Sequence, residues 1–263
     1  MADRWKMYDE LLAVIPDDLR ITSSLLGRSW CLVRSEGIGL AMNYRGGIGE
    51  GEVGPPYAGR RAAEVAGLMK SWSLPDASLG VAALNSVYNS PGRVAGWLNK
   101  PVEAVRSEAA FESLLEAMTG KNVAVIGHFP GMQAAAQRCR LTVLERNPQE
   151  GDLPDFAAEY VLPEQDYVFI TGTALTNKTL PRLLELSAQA TTVLLGPSVP
   201  LTPLWFEWGV DILAGTVVLD EPAVWQACLD GVQRQIFERG AAMVQITPAD
   251  VTATAVAPVG AAG

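Results

Sequence analysis

Lys121–Pro130 reads KNVAVIGHFP, and the architecture follows from it. Val123 to Ile126 run without a polar interruption and stop at Gly127. An apolar run of that length, rich in β-branched residues and closed by glycine, describes a strand buried on both faces. Outward from it, PGMQAAAQRC (130–139) has a helical pattern and RLTVLERNP (140–148) is again strand-like. EYVLP (159–163) and DYVFITG (166–172) read as further strands, and TLPRLLELSAQ (179–189) as a helix. TTVLLGPS, TPLWFEWG, DILAG and EPAVWQACLDGVQRQIF continue the alternation to Phe237. Apolar strands alternating with short helices specify a parallel sheet covered on both sides.

The chain before Lys121 has another character. Trp5, Tyr8, Leu11, Leu12 and Ile15 recur at spacings of three and four, which predicts an amphipathic helix over 4–15. Ile21–Leu26, Trp30–Arg34 and Ile38–Asn43 are short β-prone runs joined by turn residues, hence an antiparallel meander. The glycine-rich stretch Gly46–Gly59 contains no regular element and reads as a linker or as a flap. Helical patterns follow at Arg60–Trp72, Ala77–Asn89, Val94–Leu98 and Ser107–Met118. The expected class is therefore α/β. A small α+β domain over residues 1–119 precedes a parallel-sheet domain over 120–247, with an extended or disordered tail at 248–263.

Composition narrows the function. The formal net charge is −9, without a Lys/Arg cluster, which argues against nucleic acid and anionic membranes as partners. No apolar run approaches the roughly 20 residues of a membrane span, and MADRWKMYDELL, amphipathic and acidic, does not read as a secretory signal. Cys31, Cys139 and Cys228 are scattered without pairing or metal-type spacing, as expected of buried thiols in a reducing cytoplasm.

Ligands of open parallel sheets bind beyond the carboxyl ends of the strands. Here those ends are Gly127-His128-Phe129-Pro130, Glu145-Arg146-Asn147-Pro148, Thr171-Gly172-Thr173, Gly196-Pro197-Ser198 and Ala214-Gly215-Thr216. His128 is the sole histidine, placed to act as general acid/base, metal ligand or hydrogen-bond donor, or else to cap the turn before Pro130. Glu145 ends the second strand, where an acidic residue in dinucleotide folds binds ribose hydroxyls. GHFPGM lacks the G-x-G-x-x-G pattern, and Pro130 removes a backbone donor, so a bound dinucleotide is not expected. Asp152 and Asp155 supply further carboxylates that, with His128, suit a hard cation or are simply exposed loop acids. Asn85 and Asn89 share a helix face and need partners, either backbone across an interface or ligand.

GVAALNSVYN, VIGHFP, LERNPQEGDLPD, ITGTALTNKTL and GPSVPLTPLWFEWGVDILAGTVV occur in that order. Together they resemble a family of uncharacterised prokaryotic proteins labelled "putative heavy-metal chelation". The resemblance implies an enolase-N-terminal-like domain, a Rossmann-like domain and a site in the cleft between them. Its motifs fall on Asn85, Asn89, Gly127, His128, Phe129, Pro130, Glu145, Pro148, Asp152, Pro154, Gly172, Thr173, Asn177, Gly196, Ser198, Pro200 and Gly215.

Three expectations follow. One is handling of a divalent metal ion or a metal–organic chelate in the cleft, with His128, Glu145 and Asp152 as metal ligands. Another is an enzyme acting on a small polar substrate with a nucleoside-like ligand such as S-adenosylmethionine, where His128 moves protons and Glu145 binds hydroxyls. The third is an assembly subunit, a homo-oligomer included, with tryptophans such as Trp205 and Trp208 at the interface.

Overall fold

A computed structural model describes residues 5–44, 57–98, 100–106, 111–231 and 235–252. Helix α1 (Lys6–Ala13) buries Met7, Tyr8 and Leu11, the face set by its apolar period. Strands β1 (Ser23–Leu26), β2 (Trp30–Arg34) and β3 (Ile38–Met42) pair antiparallel in sequence order, as the meander pattern requires. Helix α2 (Ala62–Ala66) ends where Gly67 opens a 3₁₀ turn to Lys70, so the expected single helix over Arg60–Trp72 is two shorter pieces.

Helix α3 (Leu74–Tyr88) is the centre of the molecule. Pro75 sits in its first turn, where a missing N–H costs nothing, and every residue from Ala77 to Tyr88 is buried. A helix apolar on all sides has to be enclosed on all sides. One flank meets the small sheet, with Cys31, Val33 and Ala41 in the same core cluster as Val81 and Leu84. The alternate residues Trp30, Leu32 and Leu40 point the other way, toward Val224, Ala227 and Cys228. The approach is close enough that a Cβ on Gly39 would lie 2.0 Å from the Ala82 carbonyl oxygen. Helix α4 (Pro91–Leu98) follows.

The remaining chain builds the larger sheet: β4 (Asn122–Ile126), α5 (Met132–Ala136), β5 (Arg140–Glu145), β6 (Leu153–Pro154), α6 (Ala158–Val161) and β7 (Tyr167–Thr171). After these come α7 (Thr173–Thr176), α8 (Leu180–Leu186), β8 (Thr191–Leu195), α9 (Leu204–Glu207), β9 (Ile212–Val218), α10 (Glu221–Leu229) and β10 (Ala241–Ile246). The seven strands run β10-β9-β8-β7-β4-β5-β6, parallel except for β10. From β6 to β9 this is the 3-2-1-4-5-6 order of doubly wound folds. Ala124, Ile170, Leu194 and Leu213 face the cluster that contains α3. Val123, Val125, Phe169 and Val193 face a second cluster with Met118, Met132 and Phe111, whose ring stacks on Phe169 at 4.3 Å.

Some sequence expectations need correction. EYVLP is not a strand: it lies in α6 and a 3₁₀ turn at Leu162–Glu164. Ala158 and Leu162 are buried while Tyr160 is exposed, a helical period that outweighs the β propensity of Tyr and Val. In the expected helix over Ser107–Met118, residues 107–110 lie outside the described ones, and Glu112–Leu114 form a 3₁₀ turn. The tail begins with a capped 3₁₀ turn, Pro248–Asp250, where Asp250 pairs with Lys100 at 2.8 Å; residues 253–263 lie outside the described ones. The proposed flap or linker at 46–59 falls largely outside them too. Among the described residues, no helix is long and apolar enough to cross a membrane.

Candidate functional site

After β4 the chain moves outward to β5 and β6, then returns to β7 on the other side of β4. The crevice between β4 and β7 is thus the switch point at which doubly wound sheets take their ligands. A cleft of ≈ 730 Å³ opens there. Gly127, His128 and Phe129 line it from the end of β4, and Glu145, Arg146 and Asn147 from the end of β5. Thr171, Thr173 and Asn177–Thr179 line it beyond β7, and Met42 and Tyr44 from the small sheet.

Gly127 makes the turn out of β4 with φ +103°, a conformation that side chains resist, while its N–H still bonds the Leu144 carbonyl at 3.0 Å. That turn places His128 where its Nε2 lies 2.8 Å from Oδ2 of Asp152. The same Asp152 oxygen accepts the Gln149 N–H at 2.8 Å. Asp152 is 6% exposed at its side chain and His128 is 41% exposed, so the carboxylate sits behind the imidazole and the imidazole reaches the cleft. Burial opposes ionisation of Asp152. The His128 bond, the Gln149 amide and the charge of His128 together outweigh it and hold the carboxyl below the usual carboxylate range. With Nε2 engaged, Nδ1 is the ring nitrogen left for other work.

The cleft carries mixed charge. Arg146 pairs with Asp155 at 3.1 Å, and Arg182 holds Glu159 and Glu185 at 2.5 and 2.9 Å. Glu145 turns one oxygen back onto the Arg146 N–H at 2.8 Å. No sequence pattern points to Lys178, which is the non-glycine residue with positive φ (67°) among those described. Its ammonium donates to the carbonyls of Ser71 and of Thr176. Burial lowers its pKa to about 8.

Not all expected site residues meet here. Asn85 and Asn89 join α3 to the loop after β8, Ser198 lies in that loop, Gly172 and Gly215 back onto it, and Gly196 faces Phe129; none of the six is among the residues lining the cleft. Asn89 donates to the carbonyls of Val199 (2.9 Å) and Thr216 (3.0 Å) and accepts the Leu201 N–H at 2.7 Å. Asn85 donates to the carbonyl of Leu40 at 2.7 Å, and Ser198 Oγ accepts the Met42 N–H at 2.9 Å. A Cβ on Gly172 would come 2.7 Å from the Val199 nitrogen, and one on Gly215 would come 2.6 Å from the Leu201 side chain. Backbone partners account for both ends of the Asn89 amide and for the Asn85 nitrogen, whereas the buried Asn85 Oδ1 has no hydrogen-bond partner among the described residues. Pro130 is exposed one step beyond Phe129 and is not part of the cleft wall.

The sequence over 109–247 matches the family model DUF364, and 8–88 matches DUF4213; both are described as "Putative heavy-metal chelation". The chain belongs to the DUF364 family. It resembles a crystal structure of a DUF364 protein of unknown function from Desulfitobacterium hafniense, at 34% identity and a TM-score of 0.80 over 93% of this chain and 98% of that one. A second DUF364 structure of unknown function, from Pyrococcus horikoshii, shares the fold at 20% identity and a TM-score of 0.73, over 93% and 99% of the two chains. An uncharacterised protein of Methanocaldococcus jannaschii is 30% identical over 80% of this chain and 83% of its own length.

The DUF364 description invites a test of the donor set. Soft metals favour thiolates, yet none of the three cysteines lines the cleft. Burial pushes the Cys228 thiol up to about 12 and raises that of Cys139 as well, which keeps both protonated. Among the described residues, no three His, Cys, Asp or Glu side chains are grouped to hold an ion. What the cleft does offer is one imidazole with a carboxylate behind it.

Proposed function

We propose that the protein binds or handles a metal–organic chelate in the cleft between the small sheet and the strand ends of the large one. The observation that carries this is the His128–Asp152 pair on the wall of a cleft as large as a small-molecule site. A carboxylate behind a histidine fixes the tautomer and raises the basicity of the free nitrogen, the arrangement that metal-ligating histidines use. A chelate would bring most of its own donors, so His128 would need to supply only one. The family description of heavy-metal chelation agrees with a small ligand of this kind.

Native mass spectrometry of freshly purified protein, set beside its denatured mass and elemental analysis, tests the reading. Retained metal at a stoichiometric ratio is expected, with loss on His128→Ala and about 10–100-fold weaker retention in Asp152→Asn. Protein without metal, and without any thermal shift from divalent ions or metal complexes, would sink it.

A second reading rests on the strand order. Glu145 ends the strand beside β4 at the switch point, the place of the ribose-binding acid in doubly wound folds. On this reading the ligand is nucleoside-like, S-adenosylmethionine for example, and the protein is an enzyme with His128 moving protons. A rise in melting temperature with that ligand, abolished by Glu145→Ala, is the expected result. No shift across a nucleoside and methyl-donor panel removes this reading.

A further inference from the structure

Phe156 is 73% exposed, and of the large apolar side chains exposed among the described residues it is the one in the cleft lining. Its ring has no aromatic partner among those residues. A lone apolar side chain on an outer surface needs no explanation. A phenyl ring left in water on the wall of a small-molecule cleft is different, because covering it is a source of binding energy. Leu153 and Tyr160 are also exposed, yet neither lines the cleft.

The strand ends fix where the ring stands. β6 runs beside β5 with Pro154 opposite Glu145, so Phe156 follows two residues past that pair. The Arg146–Asp155 ion pair, at 3.1 Å, then ties the residue after Glu145 to the residue before Phe156. All four line the cleft. Leu144, Ala158 and Leu183 line it as well and belong to one core cluster, so the same wall offers apolar ground. Glu145 keeps one oxygen on the Arg146 N–H and has no cation paired with it among the described residues.

We propose that Phe156 is a stacking platform for a planar aromatic ring of the ligand, with Glu145 accepting from the ligand's polar edge. A flat ring gains from lying offset on one open aromatic face, whereas an alkyl chain needs walls around it. Such a ring belongs either to a nucleobase or to an aromatic chelator, and both readings of the site accommodate it. The inference rests on those readings only for the choice of cleft.

Isothermal titration of the full chain with two pairs of probes tests it: adenosine beside ribose, and nickel-loaded bipyridine beside nickel-loaded nitrilotriacetate. The variants are Phe156→Ala, Phe156→Trp and Tyr160→Ala, all at exposed positions where the core is untouched. At least one aromatic probe is expected to bind more tightly than its ringless counterpart. It should lose about tenfold in Phe156→Ala and hold its affinity in Phe156→Trp and Tyr160→Ala. Adenosine bound in this way assigns the ring to a nucleoside, and bipyridine bound in this way assigns it to the chelator. Failure of both aromatic probes to bind, or binding to Phe156→Ala as to the wild type, overturns the platform. An equal loss in Tyr160→Ala overturns it too, because that residue lies outside the cleft. Nickel-loaded nitrilotriacetate bound alone, unaffected by Phe156→Ala, overturns the platform and leaves the chelate reading standing.

Discussion

Gly39→Ala is expected to lower stability by about 3 kcal/mol or more and the melting temperature by roughly 10 °C. The added methyl has nowhere to go. Its carbon would lie 2.0 Å from the Ala82 carbonyl oxygen and 2.1 Å from the Ser86 nitrogen, both backbone atoms of α3. A flexible side chain could turn aside, whereas the backbone of a helix packed on all sides has to move as a body. Gly92→Ala is the matched control: it sits on an exposed helical face with nothing within 4 Å. There alanine should be neutral or stabilising by up to about 1 kcal/mol, through its better helix propensity. Urea denaturation of the two variants beside the wild type measures both. Equal midpoints for Gly39→Ala and the wild type would show that β3 and α3 are not in this close register.

Asn89→Ala is expected to cost about 3–5 kcal/mol, since it leaves three buried backbone groups without their partner. The groups are the carbonyls of Val199 and Thr216 and the amide of Leu201, all reached by one side chain that is 2% exposed. Asn89→Asp should be at least as damaging, because a carboxylate oxygen would replace the donating amide against two carbonyl oxygens. Thermal denaturation monitored by circular dichroism reads the loss. A change below about 1 kcal/mol would mean that water or another donor enters the seam.

These two positions also mark where sequence reasoning reached and where it stopped. The alternation of apolar strands and short helices from Lys121 onward gives the parallel sheet, since both properties are local in the chain. The strand-end positions of His128 and Glu145 are legible as well, because the apolar runs stop at Gly127 and Glu145, whereas the pairing order β5-β4-β7 is a property of the folded sheet. Asn85 and Asn89 are legible as polar residues in need of partners. Which partners they find depends on the loop after β8, more than a hundred residues away, and no local pattern encodes it. Asp152 reads as one loop acid among several. Its role behind His128 comes from the turn at 149–152 that carries it to the edge of the sheet.

Lys178 was invisible for a sharper reason. Lysine is a poor choice for a left-handed backbone, so no propensity argument puts it there. The conformation is imposed by Asn177, Ser71 and the packing around them. EYVLP failed in the opposite direction: a strong local preference for strand was overruled by burial of Ala158 and Leu162.

Helix α3 lies in one hydrophobic cluster with residues of both sheets, packing on the small sheet directly and reaching the large one through α7 and the loop after β8. Backbone cleavage between Val105 and Phe111 would therefore expose an apolar face on each fragment and strip α3 of its cover from α7 and the loop after β8. Such fragments complete each other. Mixed together they should recover the native spectrum only in one another's presence and in proportion to the scarcer partner, which makes this chain a natural candidate for split-fragment complementation.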